Sequence, residues 1–202
     1  MSKHLQHFLF KSALQEHGIE SKFTYNHQLG FQQIGNLKCG IKFPQSYVQE
    51  ISKLSQDKIH DYCFIGYMDK RGRKDLLAPF QNNNSFIKES AYGRDPVTKY
   101  NFKSDYYQHL ANSWFVLCPI HIGSWYKHTE AWTYRFVEAL LCKSIPVVFR
   151  DTPLGDSFIQ DIHFLWNDEQ HTQDNYEQIV EDNYQKAIRY WTLQPEELEL
   201  VK

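Results

Sequence analysis

The chain has 202 residues, with 42% hydrophobic residues, 23% charged residues and a formal net charge of −2 at pH 7. These values are typical of a globular protein, and the absence of a long basic run argues against nonspecific binding to nucleic acid or to anionic membranes. No apolar run reaches the length that spans a bilayer and the start lacks the apolar core of a signal peptide, so we expect a cytoplasmic protein without a transmembrane segment.

The first sixty residues predict two helices with little regular structure between them. Residues 3–17 carry apolar side chains near helical spacing, and Gly18 favours a helix end after them. Residues 18–44 contain glycines and a proline without clear periodicity, which indicates loops with short strands. Residues 45–56 predict a second, short helix. We expect residues 1–60 to be an accessory segment rather than an independent domain.

From residue 61 onward, short apolar runs alternate with helical patterns. The predicted strands cover residues 62–66, 85–87, 114–118, 145–149 and, more weakly, 163–166. The predicted helices cover residues 73–80, 105–113, 129–142 and 176–191. Strands that are apolar on both sides and separated by helices are typical of a parallel sheet covered on both faces. The sequence therefore predicts an α/β fold with a Rossmann-like domain over residues 61–202.

The ligands of such sheets bind outside the carboxyl ends of the strands, so the loops after residues 66 and 118 are the predicted binding loops. The second loop leads into a predicted helix with Thr129 as an acceptable N-cap. The unpaired N–H groups and the positive dipole end of that helix would favour an anion. Arg135 and Glu138 lie three residues apart on this helix.

Arg135 and Glu138 suit the two parts of a nucleotide. An arginine offers a planar, bidentate donor to phosphate oxygens, and a carboxylate accepts hydrogen bonds from the vicinal hydroxyls of a ribose. The alternative is a solvated surface pair, which contributes about 0.3 kcal/mol on a helix. The spacing by itself favours the surface pair.

Three stretches, in consistent order, resemble a known family. They read Tyr106-Tyr107-xx-Leu110-xx-Ser113-xx-Phe115-x-Leu117-Cys118-Pro119, then Thr133-x-Arg135-xx-Glu138-Ala139, then Ile145-Pro146-Val147-Val148. With the upstream run DYCFIGYMDKRGRKDLL, they resemble the carboxyl-terminal half of exostosin-like glycosyltransferases over about residues 60–160. The resemblance implies one half of a GT-B fold and a UDP- or GDP-sugar as the donor substrate.

The resemblance also implies roles for individual residues. Arg135 would contact the diphosphate of the donor and Glu138 its ribose, with Thr133 in the serine position of the family motif SxRxxEA. The loop before this motif would lie near the donor sugar; it contains His121, Gly123, Ser124 and His128.

Other residues have a functional and a structural interpretation. His121 or His128 would act as a general base near neutral pH, although a histidine in a chain with 10 of them is more often a bystander. Arg71 and Arg73 follow a predicted strand end and would pair with phosphate, and a solvated helix start explains them equally well.

Neither the positions of the cysteines nor the spacing of the aspartates indicates a metal site. The four cysteines lack paired spacing and three lie inside apolar runs, as expected of buried, reduced thiols; a disulfide or a zinc site is the less favoured alternative. No Asp-x-Asp pair is present. We therefore expect no divalent metal and no required cofactor.

The chain departs from the family pattern in three places. The basic residue that follows the proline in the family is absent, since Pro119 is followed by Ile120. Lys143 or Ser144 stands where a glycine usually ends the helix, which predicts a differently shaped turn. GT-B enzymes have two Rossmann-like domains, whereas only about sixty residues precede the matched half.

We therefore expect a glycosyltransferase of exostosin-like type that transfers a sugar from a nucleotide sugar to a glycan or polysaccharide acceptor. The alternative is a nucleotide-sugar-binding domain without autonomous catalysis, which acts with a separate acceptor-binding chain or as a homo-oligomer. A third hypothesis is a plain α/β structural or interaction module, in which Arg135 and Glu138 form a surface pair.

Overall fold

The structure, a computed structural model, describes residues 2–26, 31–68, 72–90, 102–119, 134–150 and 161–201. Its helices are α1 (Ser2–Glu16), α2 (Gln45–Ser52), α3 (Arg73–Leu77), α4 (Ser104–Ala111), α5 (Tyr134–Leu141), α6 (Tyr176–Trp191) and α7 (Pro195–Glu199). Its strands are β1 (Thr24–Asn26), β2 (Phe31–Ile34), β3 (Leu37–Cys39), β4 (His60–Gly66), β5 (Phe86–Glu89), β6 (Ser113–Cys118), β7 (Ile145–Val148) and β8 (Leu165–Trp166). In this part of the chain, no helix has the length and apolar character needed to cross a membrane.

Five strands form a parallel sheet in the order β5-β4-β6-β7-β8. When the five strands of this sheet are numbered 1 to 5 along the chain, the order is 2-1-3-4-5, which is the order of a flavodoxin-like, doubly wound fold. The order reverses between β4 and β6. The sheet confirms the predicted α/β, Rossmann-like fold and identifies the β4–β6 position as the switch point of the topology.

Both faces of the sheet are buried in apolar clusters. Val116 and Cys118 of β6 lie in a first cluster with residues of α2, α4, α5 and α6. Phe115 and Leu117 of the same strand lie in a second cluster with residues of α3 and the start of α6. This alternation follows from the two-residue period of a strand, and burial on both faces explains why the strands read as continuous apolar runs.

The first part of the chain adds α1 and an antiparallel sheet, β1-β2-β3. A third apolar cluster joins them to the end of the chain and includes Phe10, Leu14, Ile34, Leu37 and Leu193. Lys42 is buried here; its Nζ donates to the carbonyls of Tyr190 and Thr192 at 3.0 Å each and pairs with Glu197 at 2.7 Å. The early segment therefore shares a core with the last residues, and the division at residue 60 stays a prediction.

Helix α5 ends in the left-handed turn that glycine normally provides. Lys143 has φ 51°, its N–H bonds to the Leu140 carbonyl at 3.0 Å, and the Ser144 N–H bonds to the Ala139 carbonyl at 2.9 Å. These two bonds form a Schellman motif. The prediction of a differently shaped turn is therefore wrong: the chain keeps the turn and accepts a cost of about 1 kcal/mol for a Cβ at positive φ.

Lys58 ties together the amino ends of the strands, which we call the amino edge. Its Nζ donates to the carbonyls of Ala111 and Lys143 at 2.6 and 2.9 Å and to Ser144 Oγ at 3.3 Å. Burial lowers the pKa of Lys58 from its ordinary 10.5 to about 8. Each of its three donor positions thus has an acceptor, which makes Lys58 a structural cation.

Candidate functional site

Two arginines from different helices meet at the carboxyl ends of β4 and β6, which we call the carboxyl edge. Arg135 belongs to α5, which follows β6 along the chain, and Arg73 is the first residue of α3, which follows β4. In doubly wound sheets, ligands bind at this edge where the strand order reverses. The fold therefore brings two guanidinium groups to the position at which a ligand is expected.

Strand β4 holds the guanidinium of Arg135. Its Nη2 donates to the Ile65 carbonyl at 2.5 Å, and its Cζ lies 4.3 Å from the centroid of the Phe64 ring. A cation over an aromatic ring gains about 0.5–2 kcal/mol, depending on how far both are desolvated. The position of this guanidinium is thus set by the strand and the aromatic ring beneath it.

Arg135 has more N–H donors than the described residues around it accept. A guanidinium carries five N–H donors, and the Ile65 carbonyl is the acceptor found for it among the described residues. Its Nε is buried without a hydrogen bond, and none of the ion pairs found among the described residues includes Arg135. A buried, unsatisfied donor on a charged group is costly, and an anion with several oxygen acceptors would complement the guanidinium.

Arg73 reaches the same edge from α3. Its Nη1 donates to the Tyr67 carbonyl at 2.7 Å, its Nη2 donates to the Pro119 carbonyl at 3.5 Å, and its Cζ lies 5.9 Å from the Phe64 ring centroid. Arg73 therefore bridges the residue after β4 to the residue after β6. It places a cation beside Pro119, next to the position where the family has a basic residue and this chain has Ile120.

Glu138 lies in the core, and α4 supplies partners for its carboxylate. Its side chain has 0% exposure, and its two oxygens accept the hydroxyls of Tyr106 and Tyr107 at 2.9 and 3.0 Å. The interpretation of Arg135 and Glu138 as a solvated surface pair is therefore wrong. The carboxylate joins α5 to α4, and its contact with a ribose stays a prediction.

Gly66 belongs to the site, although its sequence position alone did not indicate this. A Cβ built on Gly66 would lie 2.6 Å from Arg135 Nη2 and 3.1 Å from Phe64 Cζ. The available signal was a glycine at the end of a buried strand, which often marks a close approach of another group.

The cysteines do not supply a nucleophile. All four are buried free thiols, which confirms the prediction of reduced, buried cysteines. Burial raises the pKa of Cys39 and Cys63 to about 12 and that of Cys142 well above its ordinary value. Neutral thiols are poor nucleophiles, so none of the four cysteines is a candidate nucleophile.

The remaining predicted site residues lie outside the described residues. They are Arg71, His121, Gly123, Ser124, His128 and Thr133, together with the predicted N-cap Thr129. Their roles stay predictions. Within the described ranges, no group of three or more His, Cys, Asp or Glu side chains is arranged to hold a metal ion.

Comparison with known proteins adds no assignment. No family model matches the chain, and a search of curated protein sequences returned no significant match.

Proposed function

We propose that this chain is a glycosyltransferase of exostosin-like type that binds the diphosphate of a UDP- or GDP-sugar at Arg135 and Arg73. It would transfer the sugar to a glycan or polysaccharide acceptor. The observation that carries this proposal is the convergence of two guanidinium groups at the carboxyl edge, where the strand order reverses. The motif resemblance supplies the class of ligand.

The two arginines suit stabilisation of a departing diphosphate. Sugar transfer breaks the bond between the anomeric carbon and a diphosphate oxygen, so negative charge grows on the leaving group. Donors that are already in position stabilise this charge without reorganising, and one such donor contributes about 2.7–4 kcal/mol to the transition state. Arg135 is held in this way by the Ile65 carbonyl and the Phe64 ring.

The other roles in this proposal follow from the resemblance. Thr133, Gly123, Ser124 and Arg71 would contact the donor, and His121 or His128 would act as the general base. Glu138 would bind the ribose hydroxyls, which requires its carboxylate to exchange or share its tyrosine partners.

A nucleotide-sugar-binding domain without its own catalysis is the second candidate. The same two arginines favour it, because they would bind the diphosphate of a nucleotide sugar whether or not this chain catalyses transfer. Such a domain would act with a separate acceptor-binding chain or as a homo-oligomer. The third hypothesis, a plain structural module, loses its surface pair because Glu138 is buried, and it keeps the support of the Glu138 carboxylate, which joins α5 to α4.

A cytoplasmic location is part of the proposal. The four buried free thiols support it, because reducing compartments keep cysteines in this state.

Isothermal titration with UDP and GDP tests the proposed donor site. We expect the wild type to bind at least one of them and Arg135→Met to bind it about 10- to 100-fold more weakly, because charge-assisted hydrogen bonds to phosphate are lost. The matched control is Arg189→Met, which removes the same charge from the exposed side of α6 and should leave the affinity unchanged. Absence of binding at millimolar UDP and GDP would overturn both nucleotide-sugar hypotheses.

A panel of sugar nucleotides separates the enzyme from the binder. Release of free nucleotide, or transfer of sugar to an added glycan, that falls in Arg135→Met and persists in Arg189→Met supports the glycosyltransferase. Binding of a sugar nucleotide without release or transfer across the panel supports the second candidate.

A further inference from the structure

Gly66 ends β4 directly below the guanidinium of Arg135. It is buried, it pairs with Glu89 of β5, and its carbonyl accepts the N–H of Ser90 at 2.9 Å. Gly66 is not among the described glycines with positive φ. Its backbone is ordinary strand backbone, which any residue can adopt, so conformational freedom does not explain a glycine here.

Space explains the glycine. A Cβ at this position would lie 2.6 Å from Arg135 Nη2, closer than two such atoms approach in proteins, and 3.1 Å from the Phe64 ring. The same Nη2 donates to the carbonyl of Ile65, the residue before the glycine. The guanidinium thus occupies the volume that a side chain at position 66 would fill.

We propose that Gly66 is a positioning residue for the anion site. The absence of a Cβ lets the Arg135 guanidinium lie between the Ile65 carbonyl and the Phe64 ring, with its remaining donors at the carboxyl edge. For the ligand, the inference rests on the proposed function; for the seating of Arg135, it rests on the packing alone.

The expected consequence of a side chain at this position is specific. The group that clashes most is the end of a long, flexible side chain, so in Gly66→Ala the guanidinium moves while β4 keeps its pairing. A guanidinium displaced by about an ångström loses the geometry of bidentate phosphate binding. Gly66→Ala should therefore remain folded and lose affinity for the ligand.

A double-mutant cycle tests this coupling with four proteins: wild type, Gly66→Ala, Arg135→Met and the double variant. Methionine keeps an unbranched apolar chain at position 135 and removes the guanidinium, which protects the fold of the reference variant. Stability is measured by urea unfolding, and affinity by titration with UDP, GDP and inorganic pyrophosphate. Coupling energies in such a cycle isolate the interaction between the two positions.

If Gly66 positions Arg135, the effects of Gly66→Ala on stability and on affinity should both depend on the guanidinium. Gly66→Ala should lower the urea midpoint in the wild-type background and lower it by about half as much or less in the Arg135→Met background, where the clashing group is absent. It should weaken binding of the nucleotide or pyrophosphate about tenfold in the wild-type background and leave it unchanged beside Arg135→Met.

Gly40→Ala is the matched control. Gly40 is exposed, its φ is not positive, and an added Cβ would contact nothing within 4 Å. It should change neither the urea midpoint nor the affinity.

The experiment distinguishes failure of the positioning role from failure of the proposed function. Equal loss of stability from Gly66→Ala in both backgrounds would overturn the positioning role, whatever binds. If none of the three probes binds the wild type, the proposed function fails, and the unfolding arm still decides whether Gly66 seats Arg135.

Discussion

The amino edge and the carboxyl edge of the same sheet differ in how many hydrogen-bond acceptors surround a buried cation. At the amino edge, Lys58 has an acceptor for each of its donor positions. At the carboxyl edge, the described residues offer the five N–H donors of Arg135 one carbonyl acceptor, and its Nε is buried without a hydrogen bond. The difference separates two kinds of buried cation: one whose donors the fold supplies with acceptors joins parts of the fold, and one with surplus donors favours binding an external anion.

Substitution of Lys58 at the amino edge should give the largest effect of the variants that test this contrast. Lys58→Met should lower the free energy of unfolding at pH 7 by about 2–3 kcal/mol, because two backbone carbonyls lose a charged donor in a buried place. The affinity for UDP or GDP should not change. Urea unfolding and titration measure the two effects, and a drop in affinity without loss of stability would invert the roles of the two edges.

The pH dependence of Lys58 sharpens the same comparison. Burial lowers its pKa from 10.5 to about 8, so between these values the unfolded chain binds more protons than the folded one. The free energy of unfolding of the wild type should therefore rise with pH across this window, relative to Lys58→Met, by about 3 kcal/mol. A difference that stays flat between pH 8 and 10.5 in urea unfolding would show that the folded-state pKa is not lowered.

Glu138 lies on the same helix as Arg135, and a substitution there tests whether the ligand site includes its carboxylate. Glu138→Gln keeps the shape of the side chain and removes the charge that accepts the Tyr106 and Tyr107 hydroxyls. If the carboxylate serves α4–α5 packing, we expect a stability loss of about 1–2 kcal/mol with little change in nucleotide affinity. If it also binds ribose, UDP affinity should fall while pyrophosphate affinity holds, which titration with both probes distinguishes.

The turn after α5 carries the smallest expected effect. Lys143→Gly should raise the free energy of unfolding by about 0.5–1 kcal/mol, because glycine accepts positive φ without strain. The exposed ion pair with Glu181 that is lost contributes little. Lys143→Ala keeps the strain and loses the pair, so it should not stabilise; equal gains from both variants in urea unfolding would contradict this account.

The parts of the fold that the sequence predicted are those encoded by nearby residues. Helix α6 covers the predicted residues 176–191, and β4 and β6 extend the predicted strands by one or two residues. Periodicity and apolar runs carry this information within a window of a few turns. The antiparallel pairing of β1, β2 and β3 and the helix α7 were not predicted as such, because short elements with many turn residues carry weak patterns.

The candidate site was predicted less completely than the fold. Arg135 was singled out from a motif. For Arg73, phosphate binding and a solvated helix start explained the basic stretch equally well. The burial of Glu138 was missed because a carboxylate at helical spacing from an arginine usually reports a solvated face. Its two tyrosine partners precede it by 32 and 31 residues, so no local pattern shows them.

The sequence by itself determined the alternation of buried strands and helices, because that pattern follows from which side chains must leave water. Only the tertiary structure decided the strand order that brings Arg73 beside Pro119 and Arg135 onto β4, and only it revealed why position 66 is a glycine. The Arg135 contact with Ile65 joins residues 70 positions apart. Contacts of that range are chosen by packing of the whole sheet, and they create the cationic site that neither residue specifies alone.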